Sequence, residues 1–147
     1  MAFRFPLQAL LRYRESFERF ERLRLEIVTR EVVLARQHCE QARLERERAL
    51  QEFANKLIRG MTGAELRFEL AGDRTHVRRL AALKEQVAKL EDLQRRQLAA
   101  FCKAQQQRKI LENLRNRQHA TYRLVQNRRT QQQLDERFLI LRGGQAG

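Results

Sequence analysis

The residue types that most often carry chemistry are scattered along this chain. Its histidines and cysteines are His38, His76, His119, Cys39 and Cys102. A hairpin turning near residues 60–63 would place His38 opposite about residue 85 and His76 opposite about residue 47, so no metal cluster would form. It would also separate the cysteines by ~27 Å along the axis, whereas a disulfide needs Cα atoms within about 7 Å. We therefore expect no metal, no cofactor and no disulfide.

The sequence also lacks the motifs of a catalytic site. The segment Gly60-Met61-Thr62-Gly63 is not followed by the Gly-Lys-Ser/Thr of a phosphate-binding loop. Carboxylates are abundant, but two paired helices offer no cleft that would perturb their pKa values or exclude water. The single Arg142-Gly143-Gly144 triplet is too weak to count as an RNA-binding repeat. We predict that the protein is not an enzyme.

The composition is typical of long helices. The 147 residues include one Pro, six Gly and no Trp, with many Arg, Gln, Glu, Leu and Ala. The formal net charge of +13 would attract nucleic acid, an anionic membrane or an acidic protein surface. No apolar run approaches a membrane span, and the N-terminus lacks the features of a signal peptide.

Two stretches without Gly or Pro carry the helical pattern. In residues 73–142 the apolar positions in one frame of alternating four- and three-residue steps are Leu83, Val87, Leu90, Phe101, Ala104, Leu111, Tyr122, Val125 and Leu139. The apolar stripe of residues 7–59 consists of Leu7, Leu10, Tyr13, Phe17, Phe20, Val28, Val32, Ala35, Cys39, Ala42, Ala49, Phe53 and Leu57. These spacings predict helices that pair along a narrow seam. The spacing slips between Phe20 and Val28, which we interpret as a stutter.

The segment 59–63 is the clearest break. Gly60 suits a helix C-cap, and Thr62 with Glu65 has the spacing of a capping box. We predict one all-α domain, 1–147, a long two-helix antiparallel coiled-coil hairpin with a projecting C-terminal helix end. Helix 1 covers about 7–59, the turn about 60–63, extending to 72 if residues 64–72 belong to it, and helix 2 about 64–142, before a frayed tail, 143–147. We expect a monomer, although a parallel dimer of the two seams is the alternative.

Folding about that turn leaves the C-terminal part without a partner. Leu7 would lie opposite about residue 116, so residues from about 117 to 141 would have no partner inside the chain. This part remains apolar at intervals and is strongly basic. An unpaired apolar stripe on a projecting helix predicts an interaction surface.

Both ends and one internal segment carry short motifs. They are Phe3-x-Phe5-x-Leu7-x-x-Leu10-Leu11, Leu111-Glu112-Asn113-Leu114 and Gln131-x-x-Leu134-Asp135-Glu136. With the length, the charge and the hairpin plan, they resemble the FliJ family of the bacterial flagellar type III export apparatus. The resemblance implies a non-enzymatic coiled coil, similar to the central stalk of rotary ATP synthases, that inserts into the export ATPase hexamer and promotes its activity. It also implies contacts with the cytoplasmic domain of the export gate and with export chaperones, at the cytoplasmic face of the inner membrane.

Under this hypothesis the projecting end and the N-terminal motif contact the partners. The predicted partner-binding residues are Tyr122, Val125, Arg128, Arg129, Gln131, Leu134, Asp135, Glu136, Phe138, Leu141, Phe3 and Phe5. Two alternatives stay open: an equivalent stalk of a virulence type III secretion system, and a basic coiled coil that binds nucleic acid. The interleaving of acidic with basic residues and the lack of base-stacking aromatic clusters argue against the second.

Overall fold

A computed structural model describes residues 2–145. Two helices account for nearly all of them: α1, Gln8–Arg59, and α2, Gly63–Gln145. No strand occurs within residues 2–145. The predicted fold class is confirmed: the protein is an all-α, two-helix antiparallel coiled-coil hairpin.

The turn between the helices is short and is built by local sequence. Gly60 has φ of 100°, a left-handed conformation that ends a helix at little cost only in glycine. Thr62 and Glu65 form the capping box: the Glu65 amide donates to Thr62 Oγ1 at 3.2 Å, and the Thr62 amide donates to Glu65 Oε2 at 3.4 Å. Residues 64–72 are therefore part of α2 rather than of the turn.

The C-terminal bound differs from the predicted one. We expected a frayed tail from residue 143, but α2 continues to Gln145. Gly143 and Gly144 do not take the positive φ of a glycine C-cap, so nothing in their backbone stops the helix. Ala146 and Gly147, the rest of that expected tail, lie outside the described residues.

The chain divides into two compact units. The second unit is Phe20–Cys102, and its two helical segments run antiparallel, as side-chain bonds show. These bonds join Gln97 to Glu21, Glu91 to Arg36, Asp73 to Arg46 and Glu69 to Lys56. The buried apolar residues are Val32, Ala35, Ala42 and Leu80. The predicted α1 seam is thus correct from Val28 to Phe53, whose seam residues are buried or half-buried, whereas the last predicted residue, Leu57, is exposed.

The first unit combines the chain up to Arg19 with the chain from Lys103 onward. Here Arg14 Nη1 donates to Gln107 Oε1 at 2.6 Å, and Arg108 Nη2 donates to Glu18 Oε1 at 3.4 Å. Leu11 and Ala104 are almost completely buried. The α1 and α2 segments of this unit are therefore antiparallel neighbours as well.

The predicted stripe at the start of α1 is wrong. Leu7, Leu10, Tyr13 and Phe20 are exposed, and Tyr13 stacks on Phe17 outside the contact face. The residues that face α2 instead follow the heptad frame of Val32: Leu25, Glu18 and Leu11, at seven-residue steps. No stutter is needed, because this frame runs without a slip. Hydrophobicity alone selects the wrong stripe, because two glutamates, Glu18 and Glu21, occupy seam positions in the structure.

Those glutamates are buried with hydrogen-bond partners. In the first unit, Glu18 accepts from the guanidinium of Arg108. In the second unit, Gln97 Nε2 donates to the backbone oxygen of Glu21 at 3.1 Å and also to its carboxylate. A buried carboxylate is tolerated when its oxygens are hydrogen-bonded. The polar partners on α2 thus explain why these charged residues occupy the seam.

Candidate partner-binding surface

The last five turns of α2 form the most exposed helical segment of the first unit. Every residue from 127 to 144 is exposed, and we call this segment the exposed end. Local hydrogen bonds support it: Thr130 Oγ1 donates to the Gln126 backbone oxygen at 3.0 Å, and Gln131 Nε2 to Asp135 Oδ1 at 3.2 Å. Without Pro, and with Gly only near its C-terminus, the segment stays helical although its side chains are exposed.

The exposed end is unusually apolar for a solvated helix. Leu134, Phe138 and Leu141 follow four- and three-residue steps and so share one face. Leu139 and Ile140 cover other sides, and the exposed fraction reaches 72% at Ile140. Exposed apolar clusters of this kind mark interaction sites on soluble proteins.

The charges of the exposed end are mostly positive. Its basic residues are Arg128, Arg129, Arg137 and Arg142. Its acidic residues are Asp135 and Glu136. Arg142 lies in the last turn of α2, where a cation interacts favourably with the helix dipole. The segment therefore presents leucines and a phenylalanine among guanidinium groups, which suits a partner with apolar pockets and acidic or carbonyl-rich surroundings.

The exposed end begins later than the sequence predicted. We expected no intrachain partner beyond about residue 117, but the ring of Phe3 lies 5.0 Å from that of His119 and 5.6 Å from that of Tyr122, and Phe5 is buried. Residues 2–5 are not helical. Extended residues advance about 3.3 Å each, against about 1.5 Å in a helix, so they reach further along α2 than a helical register allows.

The predicted partner-binding residues therefore separate into two groups. Phe3, Phe5 and Tyr122 are occupied in the contact between the N-terminal segment and α2. Those on or next to the exposed end are Val125, Arg128, Arg129, Gln131, Leu134, Asp135, Glu136, Phe138 and Leu141. The predicted partner-binding residues do not include Leu139 and Ile140, although the uninterrupted apolar run 138–141 is a usable signal.

A charged cluster close to this surface sets the register between the α1 and α2 segments of the first unit. Arg108 pairs with Glu18 of α1 and with Glu112 one turn further along α2. The hydrogen bond that Arg108 donates to Glu18, together with the one that it donates to Glu112, raises the pKa of Arg108 above its usual value. Shifting the helices by one turn would leave Glu18 buried without this partner, which is unfavourable. The cluster thus fixes how much of α2 extends beyond α1 in this unit.

The histidines and cysteines of the described residues do not form a metal site or a disulfide. His38 and His119 are exposed, and His76 is half-buried. Cys39 is half-buried, Cys102 is exposed, and neither is in a disulfide. Within the described residues, no three His, Cys, Asp or Glu side chains are grouped so that they could hold a metal ion. Neither helix, as far as it is described, has an apolar stretch sufficient to span a membrane.

The comparisons with known proteins point to one family. The family model described as flagellar FliJ protein matches residues 3–145. No curated protein and no solved structure matches the chain.

Proposed function

Because the chain belongs to the FliJ family of flagellar export components, which are non-enzymatic, we propose that it binds the export ATPase hexamer through the exposed end and stimulates ATP hydrolysis. The observation that carries this proposal is the exposed end itself: a helix whose leucines and phenylalanine each expose more than half of their surface. Burying an exposed leucine in a partner is worth roughly 1.5–3 kcal/mol. A partner is therefore expected at this segment rather than at the seam.

The charge of the exposed end supports an electrostatic contribution to the encounter. Arg128, Arg129 and Arg137 outnumber the neighbouring acids. Complementary charge raises association rates and fixes orientation more than it adds affinity. We expect the arginines to guide the end toward acidic or carbonyl-rich ring surfaces, and the apolar face to hold it there.

We extend the proposal to the further partners that membership in the family suggests. The chain links the ATPase to the cytoplasmic domain of the export gate and to export chaperones. It acts at the cytoplasmic face of the inner membrane, which it reaches through these partners. The family match favours this flagellar role over the equivalent stalk of a virulence system.

The test is an ATPase assay with the cognate enzyme. Wild-type protein should raise the rate of ATP hydrolysis. The variant Leu134→Asp/Phe138→Asp should raise the concentration needed for half-maximal stimulation at least ~10-fold, since contacts of this kind cost about 2 kcal/mol or more when lost. The matched control is Gln132→Asp/Gln133→Asp, which adds the same charge directly before Leu134 and away from that face. The control should raise that concentration much less, through the weaker electrostatic attraction alone.

Circular dichroism separates a lost contact from a lost fold. All of these positions are exposed, so both variants should keep the wild-type helix content. A Leu134→Asp/Phe138→Asp protein that is fully helical and stimulates like wild type would show that the exposed end is not the ATPase contact.

A further inference from the structure

A second apolar face lies on α1 in the second unit, away from the seam. It consists of Phe20, Leu23, Ile27 and Leu34, each of which exposes more than half of its surface; we call it the outer stripe. These residues recur at steps of three, four and seven, the spacing of core positions in a coiled coil. The seam of the same segment is already filled by Val28, Val32 and Ala35, on another side of the helix.

The outer stripe has the features of a helix-docking face. A shallow groove lined by Thr29, Arg30, Val33, Leu34 and Gln37 adjoins the stripe at Leu34. Such a groove can accept a side chain from a facing helix. The stripe uses none of the residues proposed to contact the ATPase, so it is independent of that proposal.

The charges that flank the stripe indicate which helix fits. Arg24 and Glu31 occupy equivalent flanking positions, each four residues after a stripe residue, Phe20 or Ile27. Both are exposed. In an antiparallel pair, flanking positions of this kind meet each other across the interface. The N-terminal half of the stripe therefore carries a positive flanking charge, Arg24, that complements the negative flanking charge, Glu31, of the C-terminal half.

Although the sequence predicts a monomer, we propose that two folded copies of this chain associate antiparallel through their outer stripes. In the register that satisfies the charges, Leu23 of each copy packs against Leu34 of the other, and Ile27 packs against the stem of Arg30. Arg24 of each copy then faces Glu31 of the other, so the pair forms twice by symmetry. This assembly joins two hairpins whose own seams stay closed.

Other arrangements of the same stripe place like charges together. A parallel pair would set Arg30 against Arg30 and Glu26 against Glu31. Moving the antiparallel register by one heptad in either direction would set Arg24 against Arg24 or Glu31 against Glu31. Like charges at facing positions are destabilising. The charge pattern therefore selects one orientation and one register.

Cysteine cross-linking tests the orientation and the register together. Leu23→Cys and Leu34→Cys are each made in a chain that carries Cys39→Ser and Cys102→Ser, and the two proteins are oxidised alone and mixed. The mixture should give a cross-linked dimer. Each protein alone should give little, because identical positions would lie eleven residues, or ~16 Å, apart along the axis. Efficient cross-linking of each protein with itself would indicate a parallel pair and overturn the proposal.

A charge exchange tests the equilibrium by sedimentation. Arg24→Glu and Glu31→Arg should each weaken self-association at least ~10-fold, because each puts like charges together. The double variant Arg24→Glu/Glu31→Arg should recover most of the wild-type affinity. Glu26→Gln is the control and should change self-association less than ~3-fold. A wild-type chain that stays monomeric at a few hundred micromolar, or a double variant no better than the singles, would overturn the proposal and leave the stripe to a different protein.

Discussion

The most informative perturbation compares two adjacent leucines of α1. Leu11 exposes 1% of its surface and Leu10 exposes 40%. Hydrophobic spacing assigned Leu10 to the seam, whereas the structure assigns Leu11. Truncating each leucine to alanine therefore distinguishes the two assignments in a single pair of variants.

The expected cost follows from the burial. Leu11→Ala removes three buried carbons at about 0.8 kcal/mol each, or about 2.4 kcal/mol, and the incompletely closed cavity raises the total to about 3 kcal/mol. Leu10→Ala loses only partial contacts, and alanine is a slightly better helix former, so we expect less than about 1 kcal/mol. The free energy of unfolding should thus fall at least about three times more for Leu11→Ala.

Urea unfolding followed by circular dichroism at 222 nm measures both variants. With a slope of about 1–3 kcal/mol per molar urea, Leu11→Ala should lower the midpoint by roughly 1–3 M. Leu10→Ala should move it by well under half of that amount. Equal losses, or a larger loss for Leu10→Ala, would refute the seam described here and restore the one inferred from hydrophobic spacing.

Four further changes test the turn and the second unit, three by the same urea midpoint and one by the pH dependence of stability. Gly60→Ala should destabilise the protein by about 1–2 kcal/mol, because alanine is strained at positive φ. Gly72 lies within a helix and has no atom within 4 Å of a new Cβ, so Gly72→Ala should stabilise the protein by about 0.5–1 kcal/mol. Two shifts of the same sign would contradict this. Thr62→Ala should cost about 1 kcal/mol through loss of the capping box, and an unchanged midpoint would show that the cap contributes nothing. The hydrogen bond from Arg46 lowers the pKa of Asp73 in the folded protein below its ordinary value of 3.8. The ionised Asp73 therefore stabilises the fold above that ordinary pKa. This stabilisation is lost as the pH falls through the lower pKa of the folded state. Asp73→Asn should therefore remove part of the acid-induced loss of stability below about pH 4, and a wild-type pH profile would contradict this.

The sequence was sufficient for the fold class because its signals were local. Gly60, Thr62 and Glu65 specify the turn through backbone conformation and capping, which depend on neighbouring residues alone. The α1 seam from Val28 to Phe53 is apolar at every core position except Arg46, so periodicity identifies it. These elements needed no knowledge of the facing helix.

The N-terminal half of the α1 seam could not be predicted in this way. Glu18 and Glu21 are acceptable in the interface only because Arg108 and Gln97 face them from α2. That pairing depends on the register, which hydrophobic spacing does not reveal. Hydrophobicity alone therefore assigns the aromatic residues Tyr13 and Phe20 to the core, although both are exposed.

The candidate surface was predicted in position but not in extent. The basic, apolar end of α2 is exposed as the hairpin arithmetic required. The predicted start at about residue 117 is too early, because pairing the two helices residue by residue about the turn does not allow residues 2–5 to reach further along α2. The ring contacts of Phe3 with His119 and Tyr122 arise from an extended segment, whose reach the helical rise per residue underestimates.

Hydrogen exchange on the full chain, with and without the nucleotide-bound export ATPase, tests the central claim most directly. Amides of a solvent-exposed single helix open readily and exchange fast, and a bound partner slows them. We predict that the ATPase slows exchange chiefly in residues 127–144 and leaves the second unit unchanged. Unchanged exchange in residues 127–144, with protection elsewhere in the chain, would contradict the assignment of this segment as the contact.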